Sequence, residues 1–275
     1  MRLQCRQVSS ATPVTTAPDL GPRGKVATAL SLTAVGGFVD AVGYIALFQV
    51  FTANMSGNSV HVGMYLGQRN WLQLARPFCA VVSYVVGMTL TRITVEIAGR
   101  KGIRRIASFT LAVEAVLLIL FARATPAMHL GQIVDLSSPA YFTLVALLAF
   151  AMGVQTATLT HVGAMTIYTT FVTGTLTKLT ESFTRTLFWG YDQLRQTGIS
   201  DIVRLAPQQK DVREAAMLGA TWSCYVIGAA MGTMVKQRWE LRALYVPVVV
   251  LGMFVVVDLF RPIDVEEERH QTGVG

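Results

Sequence analysis

The sequence predicts an all-α, polytopic membrane helix bundle of about six spans. Of the 275 residues, 52% are hydrophobic and only 14% are charged, whereas soluble domains carry roughly 25% charged residues. The mean hydropathy is +0.49. Two stretches with at most one formal charge are too long for a single span each, so the prediction also includes broken or re-entrant segments.

The same composition excludes disorder, a coiled coil and a soluble enzyme with a charged shell. The net charge of +7 is interpreted as a topology signal and not as a nucleic-acid surface, because no basic stretch carries interleaved aromatic residues. Three widely spaced cysteines and four histidines show no disulfide or metal-binding pattern. Nucleotide-loop, zinc-protease and serine-hydrolase motifs are absent from the sequence. We therefore expect no enzyme activity, no metal and no cofactor.

The chain ends in two predicted tails. Residues 1–25 are polar and rich in Ser, Thr and Pro, with no apolar core of the kind that a signal peptide needs. They are predicted to form a disordered cytoplasmic tail. Residues 26–260 form the predicted membrane domain, and residues 261–275 form a C-terminal tail.

Gaps between charges predict the ordinary spans. Each gap suits one helix of about 20 residues. The gaps are 77–91 (continuing to 98), 106–122 (with Glu114 inside), 215–235 and 243–257 (continuing to 260).

The two long stretches must break. Between Asp135 and Lys178 lie 42 residues without a formal charge. A single helix of that length would measure about 63 Å, twice the roughly 30 Å of the hydrocarbon layer. Residues 26–68 repeat this pattern, with Asp40 as their only charge. Breaks are predicted near Thr52–Gly57 and Thr169–Gly174, each followed by a short piece (53–67 and 170–177).

The two long stretches read as copies of each other. Their glycines lie 20 residues apart in the first (37 and 57) and 21 in the second (153 and 174). The matching segments are Gly37–Ala41 with Gly153–Ala157, Phe51–Asn58 with Tyr168–Thr175, and Ser83–Gly87 with Cys224–Gly228. This order predicts an internal duplication, with repeat 1 at about 26–122 and repeat 2 at about 139–260. The alternative is compositional similarity between any two membrane helices.

The second repeat carries an insertion of about 24 residues within 178–214, by its offset from the first. Its apolar residues recur at helical spacing beside basic ones, which suits a helix at the membrane interface. A packed soluble helix fits the pattern equally well. The apolar positions are Phe183, Leu187, Tyr191 and Leu194.

Charge counting favours six spans over eight. With six spans, 16 Lys and Arg residues lie inside and 6 outside; with eight, the count is 15 to 7. Both termini are then cytoplasmic, and three spans per repeat make the second repeat inverted.

Asp40 is the main candidate for chemistry. It lies in the first span, where a carboxylate costs about 2.5–3.5 kcal/mol on insertion scales. A proton- or cation-coupling acid is one interpretation. The other is a hydrogen-bonded acid that fixes helix packing. Glu114 in the third span and His61 after the first break are candidates for a proton relay, with structural hydrogen bonding as the alternative.

Polar residues at the two breaks are the candidate binding site. Asn and Ser are good helix N-caps, and a helix that starts inside the membrane points unpaired N–H groups at its interior. Broken transporter helices hold substrates and ions in this way. A plain polar turn is the alternative. The candidates are Asn54, Ser56, Gly57, Asn58, Thr173, Gly174 and Thr175.

Two further features carry weaker expectations. Asp258 ends the last span and is expected at the interface, near Arg261. Gly63 with Gly67, and Gly228 with Gly232, are spaced for close helix contacts within or between subunits.

Gly36–Ala41 and Phe51–Asn58 resemble the first conserved region of the YoaK family of bacterial membrane proteins, and Gly153–Gln155 with Thr173–Gly174 resemble its second. The resemblance covers about residues 26–260. It implies an integral membrane protein of about six helices and supplies no substrate. Where that family usually shows an Asn, this chain has Thr156.

The broken polar segments favour a small-solute secondary transporter or permease of the cytoplasmic (inner) membrane, with proton coupling through Asp40 as a hypothesis. The alternative is a non-transporting membrane scaffold, sensor or assembly protein. The expected partners are the lipid bilayer and an unknown small solute or ion, with a homo-oligomer left open. A water-accessible pocket shared by Asp40, Asn54, Asn58 and Thr173 would favour transport, whereas a scattered or lipid-facing arrangement would favour the scaffold.

Overall fold

The computed structural model describes residues 20–101, 103, 105–129, 135–158, 161–162, 165–166, 172–196 and 199–261. Most of both predicted tails therefore lies outside the described residues, as do residues 169–171 of the second predicted break, Thr169–Gly174.

The described chain is almost entirely helical, which confirms the all-α prediction. Its helices are α1 (Pro22–Ala46), α2 (Met55–Gly67), α3 (Trp71–Arg100), α4 (Ile106–His129), α5 (Pro139–Thr158), α6 (Val172–Gln196), α7 (Ile199–Leu205), α8 (Lys210–Trp239) and α9 (Tyr245–Phe260). Short 3-10 turns lie at Ala206–Gln208 and Glu240–Leu244. Two-residue strands, β1 (His161–Val162) and β2 (Met165–Thr166), pair antiparallel.

Five segments are long and apolar enough to cross a membrane. They are Arg23–Ala46, Trp71–Arg100, Ile106–Ala124, Pro139–Thr158 and Lys210–Phe260. The last contains both α8 and α9, joined by the 3-10 turn at Glu240–Leu244. Six helices of the bundle therefore lie in segments of membrane-spanning character.

Two element bounds differ from the prediction. Helix α1 begins at Pro22, inside the predicted tail, because proline suits the first position of a helix, where its missing N–H costs nothing. Helix α6 runs unbroken from Val172 to Gln196. The described part of the predicted short piece, 172–177, and the start of the predicted insertion at 178–214 are thus one long helix, because no breaking residue separates them.

Helix directions agree with six crossings. Helices α1 and α5 are antiparallel, since Gln155 Nε2 donates to the Leu32 carbonyl at 2.8 Å and Tyr141 OH donates to the Leu47 carbonyl at 2.7 Å. Eight crossings would make α1 and α5 parallel. Helices α4 and α9 are also antiparallel, as six crossings require: Ser108 meets Asp258 at one end, and Arg123 Nε meets Tyr245 OH at 2.8 Å at the other.

The two halves exchange helices in the bundle core. Helix α1 of the first half packs parallel to α8 of the second, with Gly228 against Ala34 and Gly232 against Phe38. Helix α5 of the second half packs parallel to α3 of the first, with Gly87 against Phe150. Each half therefore completes its core with a helix of the other.

Glycines make both exchanged pairs possible. A Cβ atom at Gly37 would overlap the carbonyl oxygen of Tyr225, and one at Gly153 would overlap that of Tyr84. These contacts join positions that the predicted duplication makes equivalent. The backbones touch here because glycine has no side chain to separate them.

The two predicted small-residue pairs have different outcomes. Gly228 and Gly232 lie against α1, as predicted. Gly63 and Gly67 on α2 face open space: a Cβ atom added at either would have no atom of the described residues within 4 Å beyond its own surroundings on the helix. The spacing alone therefore does not predict a contact within the chain.

Asp258 lies two residues before the end of the last helix but is not exposed there. Its side chain is fully buried, and its Oδ2 accepts hydrogen bonds from the Ser108 backbone N–H at 3.0 Å and from the Ser108 hydroxyl. Ser108 lies in the first turn of α4, so Asp258 caps that helix from α9. A carboxylate is favoured there because the first N–H groups of a helix lack partners and carry partial positive charge.

Candidate functional site

Asp40 lies on α1, six residues before the helix ends, and is only 4% exposed. Its Oδ1 accepts hydrogen bonds from the backbone N–H groups of Thr52 at 2.8 Å and Ala53 at 2.7 Å, and from the Thr52 hydroxyl at 3.2 Å. Its Oδ2 accepts a hydrogen bond from Tyr225 OH at 2.7 Å. Four donors thus compensate the cost of burying this carboxylate.

A tight turn brings the donors to Asp40. Phe48 and Gln49, just after α1, have positive φ angles of 52° and 69°, a region that residues with side chains rarely adopt. The Gln49 N–H donates to the Tyr44 carbonyl at 2.9 Å, which holds the turn. The chain therefore folds back along the end of α1 into the protein interior.

The predicted break at Thr52–Gly57 is confirmed: α1 ends at Ala46 and α2 begins at Met55. Asn54 is the N-cap, and its Oδ1 accepts from the Gly57 N–H at 3.3 Å and from the Ser56 hydroxyl at 2.7 Å. A Cβ at Gly57 would lie 2.8 Å from the Phe51 ring. Glycine is needed at this position so that the ring can cover the helix start.

Asn58 closes the turn from the other side. It is fully buried and exchanges two hydrogen bonds with Phe51, accepting from its N–H at 3.0 Å and donating to its carbonyl at 2.7 Å. An asparagine is suited to this role because its amide carries both a donor and an acceptor. Asp40, Asn54 and Asn58 therefore satisfy the backbone around the start of α2.

The sequence prediction missed Tyr225. It lies on α8, 185 residues from its partner Asp40. Tyr84, which the predicted duplication pairs with Tyr225, donates to the Thr156 hydroxyl at 2.9 Å, and the same predicted duplication pairs Thr156 with Asp40. The repeated Tyr84 and Tyr225 motifs were the signal that could have found this pair of contacts.

The two tyrosine contacts lie near the middle of the bundle. The antiparallel register of α1 and α5 places Asp40 and Thr156 about 13 Å apart along the helix axis, at 1.5 Å per residue. Gly37 and Gly153 lie between these two levels. Asp40 itself lies six residues, or about 9 Å, inside the end of α1, and the chain after the break returns to its level at Thr52 and Ala53.

The candidates of the second break are not brought to Asp40. Thr173 is exposed, Gly174 is half-buried and Thr175 is buried, all in the first turn of α6. Helix α6 packs antiparallel along α8, with Arg185 3.8 Å from Asp211 and Leu179 against Gly219. Among the described residues, no hydrogen bond joins these three residues to the Asp40 cluster.

Glu114 and His61 are also separate from each other. Glu114 is fully buried in the middle of α4, and neither carboxylate oxygen has a hydrogen-bond partner in the described part of the chain. His61 is half-buried on α2, its ring 6.4 Å from that of Phe51 and 6.1 Å from that of Tyr65.

A surface groove follows the polar face of α6. Its lining residues are Thr177, Thr180, Glu181, Thr184 and Arg185. None of Asp40, Asn54, Asn58 and Thr173 lines it. Within the described ranges, no group of three His, Cys, Asp or Glu side chains could hold a metal ion.

A bundle of helices long and apolar enough to cross a membrane, with a buried acid in its core, defines a polytopic integral membrane protein. The chain belongs to the family described as "Protein of unknown function (DUF1275)", whose model matches residues 28–257. It is similar to the "UPF0700 transmembrane protein YoaK" of Bacillus subtilis (strain 168), with 27% identity over 234 residues that cover 83% of this chain and 91% of that protein. This confirms the resemblance to the YoaK family. No solved structure matches the chain.

Proposed function

We propose that this protein is a small-solute secondary transporter or permease of the cytoplasmic membrane, with Asp40 as the proton-sensitive group. The observation that carries the proposal is the contact of the Asp40 carboxylate with two separate parts of the fold at once. It holds the segment just before α2 through Thr52 and Ala53, and it holds α8 through Tyr225.

An inverted repeat forms the basis of this proposal. The exchanged pairs α1–α8 and α3–α5 have matching glycine contacts, and α1 and α5 run in opposite directions. Inverted halves of this kind are common in secondary transporters, where one half rocks against the other around a site at the midplane. The contact of Asp40 with Tyr225 and that of Thr156 with Tyr84 lie on either side of such a plane.

Protonation of Asp40 would loosen the break. A carboxylate accepts from several donors at once, whereas a protonated acid has one oxygen occupied by its own hydrogen. Charge-assisted hydrogen bonds to buried N–H groups are also roughly twice as strong as neutral ones. Uptake of a proton therefore weakens the hold on Thr52, Ala53 and Tyr225 together, and it frees α2 to move relative to α8.

Flux through proteoliposomes tests this proposal. We expect the wild-type protein to move at least one member of a broad panel of small solutes, with flux stimulated by a pH gradient. Asp40→Asn should lose the pH stimulation by at least about tenfold, because the amide cannot take up a proton in this range. Asp192→Asn is the matched control: it removes the same charge from an exposed position on α6, and its flux should equal that of the wild type. Absence of flux for every solute, or full pH stimulation in Asp40→Asn, would reject the proposal.

Two observations support the second candidate, a non-transporting scaffold. Thr173 lies apart from Asp40, and the polar groups around Asp40 already have hydrogen-bond partners. Asp40, Asn54 and Asn58 all bond to their own chain, and an exposed apolar stripe on α6 offers a surface for lipid or a partner. The stripe consists of Leu176, Phe183, Leu187, Tyr191 and Leu194. In this case Asp40→Asn would change stability, and no variant would change flux.

We further propose that both termini are cytoplasmic, which follows from the excess of basic residues on that side. The test is labelling of single cysteines in a variant lacking the three native ones. Ser137 and Lys101 are exposed and lie at the ends of different connections. A membrane-impermeant maleimide should label Ser137→Cys in intact cells and Lys101→Cys only after permeabilisation. The opposite pattern would invert the orientation, and labelling of both in intact cells would contradict six crossings.

A further inference from the structure

Among the described residues, Arg76 is a buried cation without a counter-ion. It lies on the second turn of α3 and is 8% exposed. Its Nε has no hydrogen-bond partner in the described part of the chain, and no described acidic side chain lies within ion-pair distance of it. A buried guanidinium is costly unless a negative or hydrogen-bonding group compensates it. The position therefore has an unmet need for an acceptor.

The surroundings of Arg76 add positive character. Its guanidinium lies 5.8 Å from the centre of the Tyr141 ring, and Tyr141 is in the first turn of α5. The Tyr141 N–H donates to the Ser138 hydroxyl at 3.2 Å, which identifies this end of α5 as a helix N-terminus. Arg76 thus lies beside the positive ends of α3 and α5.

Tyr141 holds the guanidinium in place. Its hydroxyl donates to the Leu47 carbonyl at the end of α1, at 2.7 Å, so the ring is fixed between three helices. Stacking on an aromatic face leaves the N–H edge of a guanidinium free. An edge with two parallel donors matches the oxygens of a phosphate or a carboxylate.

We propose that Arg76 anchors an oxyanion site at the end of the bundle where α1 ends and α3 and α5 begin, and that its ligand presents a phosphate group. The phosphate can belong to a lipid headgroup or to a soluble phosphate. The inference does not rest on the proposed transport activity, because it concerns binding alone.

Binding to the full-length protein in nanodiscs tests the inference, with two arms. In the lipid arm, the discs contain phosphatidylglycerol among neutral phosphatidylcholine, and native mass spectrometry counts the retained phosphatidylglycerol. In the soluble arm, the discs are neutral and inorganic phosphate is titrated while the melting temperature is followed, with chloride at equal ionic strength as the reference. Saturable binding in the first arm identifies a headgroup site, and saturable binding in the second identifies a site for a soluble phosphate.

Variants assign the binding to Arg76. Arg76→Gln should weaken it by at least about tenfold, since hydrogen bonds to charged groups are lost. Arg76→Lys keeps the charge and should bind more weakly than wild type but better than Arg76→Gln, because lysine lacks the planar edge. Arg123→Gln is the matched control: it removes an arginine that has a tyrosine partner, Tyr245, at 2.8 Å at the same end of the bundle, and it should bind as wild type.

Two results would overturn the inference. One is the absence of saturable binding to the wild-type protein in both arms, a measurement that does not depend on any variant folding. The other is equal binding by the wild type and Arg76→Gln. Loss of transport in the flux assay would leave both of these results unaffected, so the two proposals fail separately.

Discussion

Replacement of Asp40 by alanine is expected to lower the free energy of unfolding by about 3–5 kcal/mol, because each buried donor left unpaired costs about 1–3 kcal/mol. The donors are the N–H groups of Thr52 and Ala53 and the hydroxyl of Tyr225. Loss of the carboxylate also removes an insertion cost, but that cost is present whenever α1 is in the membrane, folded or not. The insertion cost therefore largely cancels between the folded and unfolded states, and the lost hydrogen bonds decide the sign of the change in unfolding free energy.

The measurement is reversible unfolding in mixed detergent micelles, followed by tryptophan fluorescence. Thr156→Ala is the control at the equivalent position, where only the bond from Tyr84 and the hydroxyl's other contacts are lost; a cost of about 1 kcal/mol is expected. Asp40→Asn, which keeps one acceptor oxygen, should fall between the two. If Asp40→Ala costs no more than Thr156→Ala, the carboxylate does not hold the break.

Replacement of Gly228 by alanine is expected to destabilise the bundle by about 1–3 kcal/mol or more, the usual cost of overpacking. A Cβ atom there would overlap the carbonyl oxygen of Ala34. That atom belongs to the α1 backbone and cannot rotate away, so α1 and α8 must separate. Gly37→Ala should have a similar effect, because its Cβ would overlap the Tyr225 carbonyl of the same helix pair.

Gly63→Ala is the matched control, because it makes the same chemical change in a helix. Among the described residues, nothing occupies the space beside Gly63, and alanine favours a helix over glycine by about 0.5–1 kcal/mol. Gly63→Ala should therefore be neutral or stabilising in the same unfolding measurement, opposite in sign to Gly228→Ala. Equal destabilisation by both variants would show that the close contact between α8 and α1 is not the reason why alanine is unfavourable at Gly228. A loss at Gly63 alone would indicate that α2 packs against a second copy of the chain.

The break after α1 could be predicted because its signals are local. The N-cap Asn54 accepts a hydrogen bond from Gly57, three residues further along the chain. The residues that close the turn, Phe51 and Asn58, are seven residues apart. Interactions over such distances leave a pattern in the chain itself. The spans could be predicted for the same reason, since the bilayer selects runs of apolar residues by length.

The partners of the buried acids could not be predicted in this way. The sequence places Asp258 at the end of a span but does not show its partner, Ser108, which lies 150 residues away at the start of α4. Asp40 was recognised as a carboxylate that needs compensation, but not as the partner of Tyr225 on α8. The residues next to an acid in the sequence do not show which residue of a distant helix will donate a hydrogen bond to it.

The sequence by itself determined the membrane class, the helices of the described core, the first break and the buried acids that need an explanation, because hydrophobicity, charge and capping act on neighbouring residues. Only the tertiary structure decided which glycines are contacts and which acids have partners. Gly63 and Gly228 have the same spacing to a second glycine, yet within the described part of the chain one faces open space while the other touches α1. The physical reason is that a close contact needs a second helix opposite the glycine, and the spacing of glycines in one helix does not show where that second helix lies.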